Sequence, residues 1–347
     1  MKNSLRLPGL IDAHVHLRDP GATQKEDFQT GTTAAIAGGF TTVIDMPNNP
    51  KPTTTLVALK EKIKIAKKKA LCRVYFYFGA DQKNFSEYEK VKGLARGLKI
   101  YLDHTTGPLF VEDLNVLINH FKFWPKKLPI LVHAEGASIL KAIQLSKIYK
   151  KRLHLCHISQ ASELELIKWA KDRGMEITCE VTPHHLFLIQ DDEKRLGSLA
   201  KMRPPLRSKK DQNALWDGLR SGLVDIVASD HAPHTINEKE SKNPPSGVPG
   251  LETTLPLLLT AVNEKRLTPA QVKRLLFENP RKIFKINQPP NTYIEIDPKE
   301  KWIIQNRHLY TKCGWSPFNG FRIHGRLKRV FLKGKKVFEN GKILIDL

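Results

Sequence analysis

His14, His16 and Arg18 occupy alternate positions in GLIDAHVHLRDPG, residues 9–21. In an extended strand all three side chains project to one face. Two imidazoles and a guanidinium on an otherwise apolar strand are costly to bury unless something satisfies them. A metal ion with an anionic ligand beside it would do so. The H-x-H pair alone carries little weight, because 13 histidines in 347 residues give ~0.5 such pairs by chance. Its meaning rests on whether the rest of the chain supplies matching ligands.

Four other apolar runs end in such a group: Lys99 in GLKIYLD, His133 in LPILVHAE, His157 in RLHLCHIS and Asp230 in VDIVASDH. Singly, each reads as a satisfied core or rim residue. Jointly, imidazole nitrogens and carboxylate oxygens from five strands match a binuclear centre of zinc or a neighbouring metal. Lys99 is the anomaly. A protonated ammonium cannot ligate a cation, and burying one beside metals is unfavourable. Lys99 either snorkels or pairs with Asp103, or its amine is carboxylated by carbon dioxide and bridges two metals as an anion.

These residues need elements that deliver them to one rim. Short β-branched runs at 7–17, 41–47, 73–80, 97–103, 128–135, 152–159, 176–182 and 224–231 read as strands. They alternate with helical stretches such as 54–70, 136–149 and 160–173. The last carries a capping signal, Ser162-x-x-Glu165, and stops at Gly174. Eight strands with helical crossovers predict an α/β fold, a (β/α)8 TIM-type barrel over 7–285, with chemistry at the C-terminal strand ends. After residue 286 the pattern shifts to short antiparallel strands with Lys-Gly and Asn-Gly turns. Residues 1–6 and 286–347 are assigned to a small β-subdomain formed mainly by the C-terminus. Only about six residues precede the first strand, so the C-terminal strands must complete that subdomain largely alone or borrow a strand from a neighbour.

Composition bounds the rest. Forty per cent hydrophobic and 27% charged residues describe a globular chain, and no apolar run is long enough to span a membrane. No secretory signal is read at the N-terminus, where Asp12 and His14 interrupt the apolar stretch. Cys72, Cys156, Cys179 and Cys313 are too few and scattered for a disulfide framework, which points to a reducing cytoplasm. The net charge of +22 raises nucleic-acid binding as a rival. The excess is mostly lysine in segments such as LKEKIKIAKKKA (59–70), without interleaved aromatics. We read it as solvated surface that steers anionic ligands inward, with helix 54–70 facing solvent.

DAHVHLRDPG, MPNN, GLKIYLD, VHAE, CHIS, CEVTPHHL, ASDHAPH and PGLET occur in this order along nearly the whole chain. On these motifs the sequence resembles the amidohydrolase superfamily, and within it the dihydroorotases, including the domain found in animal multifunctional pyrimidine-synthesis proteins. The resemblance implies two zinc ions. One would be held by His14, His16, Asp230 and a carboxylated Lys99 bridge, and the other by Lys99, His133 and His157. It implies Arg18, Asn48 and His234 around a substrate carboxylate, and Arg203 with the Ser246 and Gly247 backbone on the ring. Thr105 would lie on the loop that covers the substrate, where Thr106 replaces the family's aromatic and His104 is unusual. Cys156 and Glu180 match positions of a third metal in some members. Strand alternation turns Cys156 away from the main site, so a core role is the simpler expectation. His184 and His185 read as structural; His120, His154, His308 and His324 read as ordinary surface or core residues.

The implied reaction is reversible closure of N-carbamoyl-L-aspartate into L-dihydroorotate in pyrimidine synthesis, with Asp230 as general acid and base. Arg18 sharpens it, because a guanidinium fork pairs with a carboxylate that neutral cyclic ureides lack. Dihydropyrimidinase, hydantoinase and allantoinase are the alternative reactions on the same scaffold. A silent scaffold for a partner enzyme is the alternative of a different class. A homodimer and association with aspartate carbamoyltransferase are further expectations of the resemblance.

Overall fold

The computed structural model describes residues 4–345; the assignments made above for 1–3, 346 and 347 lie outside the described residues. Parallel strands Leu10–Val15, Phe40–Asp45 and Arg73–Phe76 form one arc. Phe78–Gly79, Leu98–Tyr101, Ile130–His133, Leu153–Leu155, Ile177–Val181 and Ile226–Val227 form a second, also parallel. Tyr77 carries the third strand across one join, with its N–H on Asp45 O at 3.0 Å and the next N–H on Gly97 O at 3.0 Å. At the other seam Val15 pairs with His231, and His16 N–H reaches His231 O at 2.8 Å. The arcs therefore close into an eight-stranded barrel wrapped by helices. Its strands are buried on both faces, which is why LKIY and ILVH read as apolar runs broken only by Lys99 and His133.

The barrel interior is a packed core. Ile11, Ala13, Ile44, Tyr77, Leu131 and Ile226 meet Ile283, Phe284 and Ile286 there. Arg73 and Arg152, near the starts of their strands, hold Asn287 O at 2.5 Å and Ile283 O at 3.1 Å. That closes the strand-start end and leaves only the opposite end open.

A five-stranded antiparallel sheet lies outside, in the order Leu5–Pro8, Tyr293–Ile303, Arg322–Leu332, Lys335–Glu339, Lys342–Ile343. Both expected hairpin turns are present. Lys333-Gly334 and Asn340-Gly341 have φ of 51°, 84°, 47° and 81°, the positive pairs that a two-residue turn between twisted strands requires.

Several local expectations are corrected. The run 7–17 is two strands, because Gly9 N–H bonds Thr292 O at 3.1 Å and hands Leu5–Pro8 to the outer sheet. Strands six and eight stop at Leu155 and Val227, well short of the ends read from sequence. Helix Ala161–Asp172 is capped by Gln160, whose N–H donates to Glu163 at 3.0 Å, so the cap lies two residues before Ser162/Glu165. Helix Leu56–Lys69 exposes most of its lysines, yet Lys62 is wholly buried.

Candidate active site

The open end of the barrel gathers the residues singled out above. His14 and His16 come from the first strand and its exit, with ring centroids 5.3 Å apart. Both direct Nε2 at the same oxygen, Asp230 Oδ1, at 3.2 and 3.1 Å. Nδ1 of His16 donates to Asn48 Oδ1 at 2.8 Å, and Nδ1 of His14 to Glu180 Oε1. Each bond places a proton on Nδ1 and turns Nε2 toward the centre. His133 and His157 stand opposite, with Nδ1 and Nε2 2.9 Å apart. His133 Nε2 and His157 Nδ1 are buried with no hydrogen-bond partner. Ligand atoms of His14, His157 and Asp230 lie within 4.8 Å of one another. Such convergence of nitrogen and oxygen donors is what a metal site requires, with His14 giving up its proton on binding.

The backbone is bent to achieve this. Arg18, His157 and Asp230 have φ of 62°, 36° and 45°, a left-handed region costing about 1–3 kcal/mol per residue. These turns explain why strand alternation misleads after the strands end. Cys156 does not point away: its Sγ is 3.0 Å from Lys99 Nζ and within 4.8 Å of ligand atoms of His14 and Glu180. Lys99 does not pair with Asp103, whose carboxylate instead takes Glu135 N–H at 2.8 Å and Ser138 Oγ at 3.2 Å.

Electrostatics divide the cluster. Burial disfavours a charged His14, but the carboxylates of Glu180 and Asp230 outweigh it and raise its pKa to about 10. Burial lowers His16 to about 4 and His133 to about 3. Burial opposes charge on Asp230 too, yet His14 and His16 hold it well below the usual carboxylate range. In the metal-free site an ionised Asp230 therefore faces a protonated His14, while His16 and His133 stay neutral with lone pairs free to coordinate.

Around this centre a cleft is lined by Arg18, Asn48, Thr105, Arg203, Ser246 and Gly247, among others. Arg18 is 8% exposed; Nε donates to Pro233 O at 3.1 Å, and Nη2 is 3.0 Å from His234 Nε2. Burial, with Arg18, Lys25 and Lys239 nearby, lowers His234 to about 2, so it sits neutral beneath the guanidinium. Thr106 Oγ1 donates to Ser246 O at 3.1 Å and Asn48 Nδ2 to Thr106 O at 3.0 Å. Thr106, which the motifs left unassigned, thus links the covering loop to both walls, while Thr105 lines the cavity. His104 stacks on Phe110 at 4.0 Å. Gly247 has φ 138°, and a Cβ there would meet Ala232 O at 2.6 Å.

Sequence reasoning missed three residues behind the site. His154 Nε2 donates to Glu180 Oε2 at 3.0 Å. Asp45 and Lys62 pair at 2.6 Å, and Lys62 Nζ also reaches Met46 O and Asn49 Oδ1 at 2.7 Å. Asp45 Oδ1 accepts Leu17 N–H at 2.8 Å, so this buried pair ties the loop of His16 and Arg18 to that of Asn48. The signal was present as a polar residue in a strand and a lysine on the inward stripe of its helix.

Barrel, outer sheet and donor cluster together define a barrel hydrolase whose rim is consistent with a metal cofactor, and residues 5–288 match the amidohydrolase family model; the chain belongs to that family. Within it, the chain is 38% identical to dihydroorotase from Pyrococcus horikoshii, over 99% of this chain and 83% of that protein. It is 44% identical to multifunctional protein CAD of Squalus acanthias over 98% of this chain, and spans only 15% of that protein's length. Among solved structures, L-hydantoinase from Arthrobacter aurescens superposes with TM-score 0.93 at 28% identity, over 99% of this chain and 87% of that one. Among the described residues no helix is long and apolar enough to cross a membrane.

Proposed function

We propose that this chain is a dihydroorotase, hydrolysing and re-forming the ring amide of L-dihydroorotate. The observation that carries the reading is Arg18. Its fork lies at the cavity wall beside the imidazole–carboxylate cluster, where it would take the substrate's carboxylate.

The orphaned nitrogens of His133 and His157, and the Nε2 atoms of His14 and His16 that converge on Asp230, fit a pair of zinc ions. His14, His16, Asp230, His133 and His157 would hold them, with Lys99 bridging once its amine is carboxylated; Cys156 and Glu180 mark where a third could sit. When bound, such ions polarise an amide carbonyl and bring the pKa of water toward neutrality. The chain's own groups do the rest. Asp230, ionised at neutral pH, takes the proton from the attacking water and returns it to the departing ring nitrogen. Arg18 and Asn48 orient the carboxylate, Arg203 and the Ser246–Gly247 backbone face the ring, and the Thr105–Thr106 loop excludes bulk water. In the reverse direction Asp230 removes the ureido proton, the ring closes and water leaves.

Purified, metal-replete protein should open L-dihydroorotate at least about 100-fold more efficiently, as kcat/KM, than neutral dihydrouracil or hydantoin. A metal-replete protein inactive on dihydroorotate refutes the reading. Equal rates on the neutral rings would support the hydantoinase alternative, which the superposition on L-hydantoinase favours. A homodimer, cytoplasmic location and association with aspartate carbamoyltransferase accompany the reading; co-sedimentation of the two purified proteins tests the association.

A further inference from the structure

We infer that Lys239 is a positioning residue that locks the substrate-facing loops in register. Resting on the dihydroorotase reading, this adds a residue that the motifs do not contain. The Lys239 side chain is wholly buried. Its Nζ donates to Lys201 O at 2.8 Å, Pro245 O at 3.1 Å and Gly247 O at 3.1 Å. No carboxylate is among these partners. An ammonium removed from water without a counter-ion is costly, and here three converging carbonyl dipoles supply what water would have given.

Those carbonyls belong to segments that carry candidate substrate contacts. Lys201 leads into Arg203, Pro245 and Gly247 flank Ser246, and Lys239 itself follows His234 by one short helix, Ile236–Lys239. Gly247 N–H also donates to Lys201 O at 3.0 Å, so two of the segments meet at one oxygen. The Trp315 ring covers the ammonium at 5.6 Å, and its Nε1 donates to His234 O at 2.7 Å. Without the three donors, three carbonyl oxygens would face one another across a dry gap. The Ser246–Gly247 backbone would then withdraw from the cavity wall it forms.

The other ionisable groups near Lys239 do not replace it. Glu238 is engaged by Lys25 at 2.8 Å; His234 is neutral, and Lys201 is a like charge. Burial, reinforced by Lys201, brings the Lys239 pKa down to about 8. Mildly alkaline solution therefore removes the proton that organises the cage.

The test compares wild type with Lys239→Met, and Lys239→Ala with and without ethylammonium. KM for L-dihydroorotate should rise about tenfold in the Met variant while kcat stays within about threefold, the pattern of lost binding geometry. Ethylammonium should restore KM of the Ala variant, and ethanol should not. A folded Met variant with wild-type KM, or one losing kcat alone, overturns the inference. Hydrogen exchange on the wild type keeps the inference testable even where the variants do not fold. Protection of the Gly247 amide, which donates to Lys201 O, should fall as pH passes about 8 once corrected for the intrinsic rate; unchanged protection refutes the cage. That measurement needs no turnover, so inactivity toward dihydroorotate would strike the functional reading and leave this inference to be decided separately.

Discussion

His154 Nε2 sits 3.0 Å from Glu180 Oε2, with neither side chain reaching solvent, while the other oxygen of that carboxylate holds His14. Glu180 is therefore a shared anchor, and both of its oxygens are engaged within the protein. His154→Ala leaves one oxygen of a buried anion unpaired, and a buried hydrogen bond to a charged group is worth about 1.5–3 kcal/mol. Urea denaturation should show that loss at neutral pH, with the barrel's circular dichroism intact. Glu180→Gln frees the His14 ring, and loss of such an orienting carboxylate should weaken metal affinity about 10- to 100-fold. A metal titration that leaves affinity at the wild-type value contradicts the anchoring role.

Lys99 has a thiol as its near partner, Cys156 Sγ at 3.0 Å, and the Tyr101 ring at 5.1 Å. A wholly buried ammonium without a carboxylate is poorly placed, whereas a carboxylated amine is an anion amid imidazoles. Lys99→Ala should abolish dihydroorotate turnover, and short carboxylic acids such as acetate or propionate should restore part of it by replacing the bridging anion. A variant that keeps most of its metal and activity excludes the carboxylated lysine.

The barrel was readable because its parallel strands are buried on both faces and end in groups with no place in an apolar run. His14, His16, His133, His157 and Asp230 announce themselves in that way, and they do converge. What stayed hidden depended on backbone turns that propensity does not register. The positive φ of His157 turns its ring to the side that Cys156 already faces, so two adjacent residues share the interior. Buried partners were equally opaque: nothing in LKEKIKIAKKKA sets Lys62 apart from its neighbours except its place on the inward stripe with Leu59 and Ala66. His154 looked ordinary because its partner, Glu180, lies on the next strand.

The Lys62–Asp45 pair gives a stability test of its own. Lys62→Met strands a buried carboxylate that still holds Leu17 N–H, and should cost about 3–5 kcal/mol. Adding Asp45→Asn removes the charge while keeping an acceptor for that amide, so the double variant should regain part of the loss. A double variant no more stable than Lys62→Met, in the same denaturation experiment, would show that charge desolvation is not the cause.

Arg18 separates substrate recognition from metal binding. Arg18→Met removes a charged, two-donor contact worth about 1.5–3 kcal/mol, so KM for dihydroorotate should rise about 10- to 150-fold. Metal content should stay near the wild-type value, because Arg18 contacts Pro233 O and His234 and none of the candidate ligands. Parallel loss of metal, read by elemental analysis, would move Arg18 from recognition to scaffold.

Acid should unfold the metal-free protein early. Burial lowers His16, His120 and His185 to about 4, His133 to about 3 and His234 to about 2. His157 and His184 are also held well below the ordinary value of 6.5. Between pH 6.5 and 4 the unfolded chain binds protons on these rings that the folded chain refuses, so stability falls as pH falls. Burial raises Asp12 to about 7 and Glu252 to about 8, and lifts Asp45 and Glu163 above the usual carboxylate range, which works in the opposite direction. Seven rings against these four carboxyls leave the histidines in control of the slope. Urea midpoints measured in chelator should drop steadily from pH 6.5 to 4. Bound metal should flatten the upper part of that limb by holding His16, His133 and His157 unprotonated. A midpoint independent of pH across this window would mean that these imidazoles are hydrated in the folded chain, which is incompatible with the cluster described.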